Sequence, residues 1–330
     1  MPSGPGYTRL LLAIGLIVAG IALLVLGGET LLRGAVGLAT LWRVTPAVIG
    51  LTVVAVGTSI PELAVSAVAT VQGQTDIAVA NVVGSNIFNI LVILGLCAAI
   101  KPLPITGNTI KLEYPVLLLV TLLLVVFSKD GEIHWLEGLY FLIVYVAFNA
   151  FLVGLVRGQM TAEEAQDFQA DLELPQQPPR LPILLVLLAV GVACLTGGAH
   201  LTVQGAVQVA RWLGWSERLI GLTIVSAGTG LPEVVASVVS AMRGRSDVAI
   251  GNVIGSNLFN ILGSLGVCGL IQTLPVGPEL YYFDSLIMLA ITVMLFPCMW
   301  IGMKISRWEA FAFLGLYAAY VGYLVNSVAS

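Results

Sequence analysis

Charge is what this sequence has least of. Only 10 % of its 330 residues are Asp, Glu, Lys or Arg, against about 25 % in soluble domains. That scarcity excludes a water-soluble enzyme and a disordered chain. Fourteen Lys and Arg stand against eighteen Asp and Glu, a formal charge of −4. No basic surface is available for nucleic acid. Histidine occurs twice and cysteine four times. Cys97, Cys194, Cys268 and Cys298 lie inside apolar blocks, in no CxxC pair and with no His at metal spacing. They form neither a disulfide framework nor a zinc site and read as small buried hydrophobes.

Apolar residues are there in abundance: 58 % of the chain, with a mean hydropathy of +1.01. They fall into ten blocks, approximately 9–38, 45–72, 76–99, 112–128, 134–156, 181–211, 217–242, 247–272, 281–301 and 307–327. Each is long enough for about 30 Å of hydrocarbon. Runs such as Val116–Phe127 show no alternation of period two, so the blocks are helices rather than barrel strands. The expected fold is therefore an all-α polytopic membrane protein of ten transmembrane helices. Residues 157–180, RGQMTAEEAQDFQADLELPQQPPR, are polar, acidic and proline-terminated. They read as a solvated linker between helices 1–156 and helices 181–330, and lack the spacing and glycine of an EF-hand loop.

Lys and Arg are distributed unequally over the two ends of these spans. The side bearing the N-terminus carries 4 (Arg9, Lys129, Arg211, Arg218) and the opposite side 10. The positive side faces the cytoplasm. Both termini are then expected outside a cell membrane, with the linker inside. Tryptophans at the block ends read as an interfacial belt.

The chain repeats itself. Residues 57–91 (GTSIPELAVSAVATVQGQTDIAVANVVGSNIFNIL) align without a gap on residues 228–262 (GTGLPEVVASVVSAMRGRSDVAIGNVIGSNLFNIL), at an offset of 171 and with 18 of 35 positions identical. The same offset pairs Ile49–Thr52 with Ile220–Thr223, Cys97 with Cys268, and Glu113 with Asp284. Five spans per copy, an odd number, require opposite orientations. Inverted repeats of this kind are a transporter design, with a site at the midplane where the copies meet.

Each copy carries polar groups at membrane depth. Glu62 follows Gly57 and Pro61, and Glu233 follows Gly228 and Pro232. Such a sequence interrupts the helical ladder and frees carbonyls. A carboxylate at the bilayer centre costs at least about 2.5 kcal/mol, which marks a functional position. Ser85 and Asn89, four apart, share a helix face, as do Ser256 and Asn260. Asn86 and Asn257 read as glue between helices. The inventory is carboxylates, hydroxyls, carboxamides and carbonyls, without His or Cys, which suits a hard cation such as Ca²⁺ or Na⁺. Asp76 and Asp247 read as caps of the helices they open, and Glu29 as an interfacial partner of Arg33.

GTSIPE and GSNIFN, repeated as GTGLPE and GSNLFN, resemble the cation/calcium exchanger superfamily, and most nearly its prokaryotic sodium/calcium exchanger branch. The resemblance covers both halves. It implies alternating access, with the first and sixth helices sliding over the other eight. It further implies that Na⁺ and Ca²⁺ compete for one shared site. Its ligands would be Thr58, Ser59, Glu62, Ser85 and Asn89 in one copy, and Thr229, Glu233 and Ser256 in the other. Asn260 joins them by its place in the repeat. No cofactor is implied, and a monomer would suffice. Gly230 stands where the family pattern has Ser, and Asn260 where many members have Asp. Three activities remain open at this point: Na⁺/Ca²⁺ exchange, H⁺/Ca²⁺ exchange through the same glutamates, and a passive cation channel. An intramembrane enzyme has no support, since no HExxH and no nucleophile–base pair is present.

Overall fold

A computed structural model of the chain describes residues 5–105, 109–156, 180–214 and 226–329. The linker lies outside these residues except for Arg180, and so do Ile220–Thr223, Trp215 and Arg218. The chain opens with α1 (Pro5–Trp42). Next come α2 (Pro46–Thr58) and α3 (Ile60–Val71), bent by 45° at the break between them. The expected span over 45–72 is thus two helices meeting at a bend, which together count as one broken span. Pro61 explains the break: it has no N–H, and its ring crowds the carbonyl one turn earlier. The first half continues with α4 (Thr75–Ile100), α5 (Thr109–Asp130) and α6 (Trp135–Val156).

The second half begins with α7 (Leu181–Trp212). A short α8 (Ser226–Thr229) is followed at Gly230 by α9 (Leu231–Met242), with Pro232 in its first turn. The half closes with α10 (Ser246–Ile271), α11 (Leu280–Met303) and α12 (Arg307–Ala329). Among the described residues eight helices are long and apolar enough to span a membrane, or nine with the bent pair counted as one. The fold is thus an all-helical polytopic membrane protein. The expected span over 217–242 is described only from Ser226 onward.

α1 and α7 run together along their length. Each carries glycine every seventh residue on the shared face: Gly20, Gly27 and Gly34 against Gly191, Gly198 and Gly205. A Cβ at Gly191 would lie 2.7 Å from the Leu31 amide nitrogen, and one at Gly27 2.8 Å from that of Leu195. Small residues let helix backbones approach where lipid supplies no hydrophobic drive.

The deepest core surrounds α10, which is buried without interruption from Val248 to Gly266. Two short antiparallel pairings tie the halves at opposite places in the chain. β1 (Leu103–Pro104) pairs with β4 (Lys304–Ile305), and β2 (Glu132–Ile133) with β3 (Leu274–Pro275). Trp42, Trp135, Trp212, Trp300 and Trp308 are exposed at helix ends. Glu29 meets Arg33 at 3.1 Å and also takes Arg243, which caps the end of α9, at 3.0 Å.

Asp76 and Asp247 are not N-caps. Gln74 and Arg245 occupy those positions, and the two aspartates sit in the first turns. Negative charge is favourable there too. Asp247 takes both arms of the buried Arg245 guanidinium, and a buried cation requires such a partner.

Candidate functional site

The interrupted helices bring the two copies of the motif face to face. Glu62 opens α3 and Glu233 opens α9, each in a first turn, where the helix dipole favours negative charge. Both are buried, at 2 % and 1 % exposure. Ser59, the residue at the α2–α3 break, donates its hydroxyl to Glu233 Oε1 across the halves at 2.9 Å. The second oxygen of each glutamate, Oε2, has no protein hydrogen-bond partner. Buried carboxylate oxygens without partners are costly, and a positive charge beside them would offset that cost.

Asparagines frame this pair with bonds that obey the repeat. Asn81 of α4 donates to Ser66 Oγ at 3.0 Å, and Asn252 of α10 donates to Ser237 Oγ at 2.9 Å. Asn89 donates to Asn257 Oδ1 at 2.9 Å, and Asn260 reaches Asn86 Oδ1 at 3.5 Å. Every pair is matched by its partner 171 residues on. Asn86 and Asn257 do join helices, as their place in the motif suggests. Thr58 donates to Asn252 Oδ1 at 3.4 Å or to the Ala55 carbonyl at 3.3 Å.

Four of the nine expected site residues, Glu62, Ser85, Asn89 and Thr229, line one cavity of about 350 Å³. The other five are buried behind it. Glu233 and Ser59 touch directly, and Thr58 lies beside Glu233 as well as Asn252. Ser256 is fully buried and its hydroxyl has no partner. Asn260 is tied to Asn86 and keeps a free Oδ1. Among the described residues no group of three or more His, Cys, Asp or Glu gathers. The donor set is two carboxylates among hydroxyls and amides, the hard oxygen environment that an alkali or alkaline-earth cation takes.

Gly230 has a structural reason. A Cβ there would lie 2.8 Å from Cε1 of Phe88, so an aromatic ring from the first half occupies the space of the missing hydroxyl. Sequence reasoning passed over three further features. Asn252 contacts Thr58 across the halves. Segments of π-helix begin at Asn89 and run through Asn260, at Asn89–Ile93 and Phe259–Ser264. Such segments widen a helix at functional places. The third is a carboxylate on the cavity wall, Asp284. Only its pairing with Glu113 in the repeat hinted at it.

Membrane-length helices around a buried, half-partnered pair of carboxylates define a polytopic membrane transporter, not an enzyme. The sequence matches the family model described as "Sodium/calcium exchanger protein" over residues 12–154 and again over 183–326. The putative antiporter CaxA of Alkalimonas amylolytica is 40 % identical, over 87 % of this chain and 89 % of that protein. The sodium/calcium exchanger MaX1 of Methanosarcina acetivorans is 31 % identical, over 93 % and 96 %. The structure superposes on that of the sodium-calcium exchanger NCX_Mj, soaked without Na⁺ and Ca²⁺, with a TM-score of 0.82, 32 % identity and coverage of 94 % and 98 %. The chain belongs to the sodium/calcium exchanger family.

Proposed function

We propose that this chain is a secondary antiporter exchanging Na⁺ for Ca²⁺ by alternating access. The observation that carries the reading is the pair Glu62 and Glu233. Each is buried at a helix break, each has an oxygen without a protein partner, and Ser59 bridges the halves to one of them. Two carboxylates balance one Ca²⁺, and the surrounding hydroxyls and amides complete the coordination that Na⁺ or Ca²⁺ requires. Thr58, Ser59, Ser85, Asn89, Thr229, Ser256 and Asn260 supply these neutral oxygens. Because both ions draw on one set of donors, occupancy by one excludes the other, and that exclusion couples their movements.

The architecture belonging to this reading is ten helices in two inverted copies, residues 1–156 and 181–330. Residues 157–180 link them in the cytoplasm, and both termini lie outside a cell membrane. Support comes from the two matches to the family model and from hydrogen bonds that recur at an offset of 171. One chain contains the whole donor set, so a monomer is functional. Binding of the cation is intrinsic to the chain and needs no cofactor.

A second reading, H⁺/Ca²⁺ exchange through the same glutamates, draws on Gly230. With Phe88 in place of a hydroxyl, Glu62 lacks the counterpart of the Ser59–Glu233 bond. Uptake of radiolabelled Ca²⁺ into proteoliposomes decides between them. Uptake driven by an outward Na⁺ gradient, and lost in Glu62→Gln, is the expected result. Uptake driven by a pH gradient without Na⁺ would transfer the coupling to protons.

A further inference from the structure

The cavity that Glu62 lines has a second carboxylate on its wall. Asp284 lies in the opening turn of α11, within a π-helical segment, Leu280–Ser285. Its Oδ1 accepts a hydrogen bond from the Tyr320 hydroxyl of α12 at 2.7 Å. Tyr317 and Tyr320 line the same space. The cavity runs from Glu62, at the middle of the bundle, towards the end where α4 and α11 begin and α12 ends.

We propose that Asp284 is a relay carboxylate, a transient binding position for the cation between solvent and the site at Glu62. This extends the exchange reading above and rests on it. An intramembrane carboxylate lining a cavity marks an ion path more often than a structural tie. A cation entering a largely apolar passage loses water at each step, and a fixed negative charge along the way raises its local concentration and its rate of arrival. Passage also demands that the intermediate position hold the ion weakly enough to release it. Asp284 meets that demand: it is one carboxylate, half-buried, with one oxygen engaged by a phenol. Glu62, at the inner end, has a buried oxygen without a protein partner, the stronger position to which the ion moves.

The repeat supplies an internal comparison. Glu113 is the counterpart of Asp284, sits in the counterpart π-segment, Thr109–Glu113, and is 2 % exposed. It lines no part of this cavity. The carboxylate is therefore reachable on the half whose passage is open and closed off on the other.

The test is the rate of Ca²⁺ association with the detergent-solubilised protein, followed by stopped flow with a Ca²⁺ indicator dye, alongside Na⁺-driven flux of the wild type in proteoliposomes. Asp284→Asn is expected to slow association about tenfold, more at low than at high ionic strength, and to slow dissociation in similar proportion, because a position on the path serves exit as well as entry. Asp284→Glu is expected to restore the rate. Tyr320→Phe, which keeps the charge, is expected to slow association less than Asp284→Asn. An association rate unaltered in Asp284→Asn overturns the proposal, and so does a loss equalled by Tyr320→Phe, which would reduce the pair to a tie between helices. Wild-type protein that binds Ca²⁺ but shows no Na⁺-driven flux refutes the exchange reading alone, and Asp284 is then judged on the association rate. Wild-type protein that binds no Ca²⁺ refutes both.

Discussion

The two copies of the motif differ less in sequence than in what surrounds them. In the first half Asn81, Gly84 and Ser85 of α4 are only partly buried, and all three line the cavity. In the second half their counterparts Asn252, Gly255 and Ser256 of α10 are sealed in the core. A Cβ at Gly84 would meet nothing within 4 Å, whereas one at Gly255 would strike the Leu51 carbonyl oxygen. Near-identical segments thus form an open wall and a closed one. The carboxylates diverge in the same manner: Glu233 is gripped by Ser59, while Glu62 lines a cavity together with Gly230 and Phe88. A sequence repeat sets the donor inventory of such a site, and its environment decides which donors are reachable.

The largest effect should come from breaking the element common to both halves. Glu62→Gln or Glu233→Gln should lower Ca²⁺ transport at least about 100-fold, equivalent to about 2.8 kcal/mol. The helical circular dichroism and the elution profile should remain those of the wild type. Full transport by either variant would refute the assignment.

Ser59→Ala removes the one hydroxyl of the candidate site that the second half does not repeat. A hydrogen bond to a charged group contributes about 1.5–3 kcal/mol. Apparent Ca²⁺ affinity should therefore fall about tenfold or more, read as the half-saturating concentration for uptake. The converse change sharpens the comparison. Gly230→Ser alone should destabilise the fold by about 1–3 kcal/mol through overpacking against Phe88, seen as a lower unfolding temperature. Gly230→Ser with Phe88→Leu should recover that stability and bind Na⁺ or Ca²⁺ several-fold more tightly than Phe88→Leu alone.

The smallest effects concern the helix backbones. Gly255→Ala should destabilise by about 1–3 kcal/mol because the new methyl meets backbone. Gly84→Ala, in open space, should stay within about 0.5 kcal/mol. Equal effects in thermal unfolding would mean that the open and closed walls are not distinct.

Much of this was legible beforehand. Membrane class follows from the apolar blocks, because lipid leaves helices few alternatives. The breaks at Ser59 and Gly230 follow from Pro61 and Pro232. The proposed site rests on a repeat that places Glu62 and Glu233 alike. Other features were not legible, for physical reasons. The 45° angle of the bent pair is one, because hydropathy carries no angle. The place of Asp76 and Asp247 is another, because an acidic residue suits either the cap or the first turn, and these lie two residues past the caps Gln74 and Arg245. The Asn252–Thr58 contact, the ring of Phe88 over Gly230, and the exposure of Asp284 depend on which helices become neighbours. No local pattern encodes that.

The central claim is that one cation-binding site, built on Glu62 and Glu233, serves both ions. Calorimetric titration of the purified protein with Ca²⁺, at rising fixed Na⁺ concentrations and with Glu62→Gln in parallel, tests it most directly. The account predicts Ca²⁺ binding that Na⁺ displaces competitively and that Glu62→Gln abolishes. Binding indifferent to Na⁺, or preserved in Glu62→Gln, would contradict it.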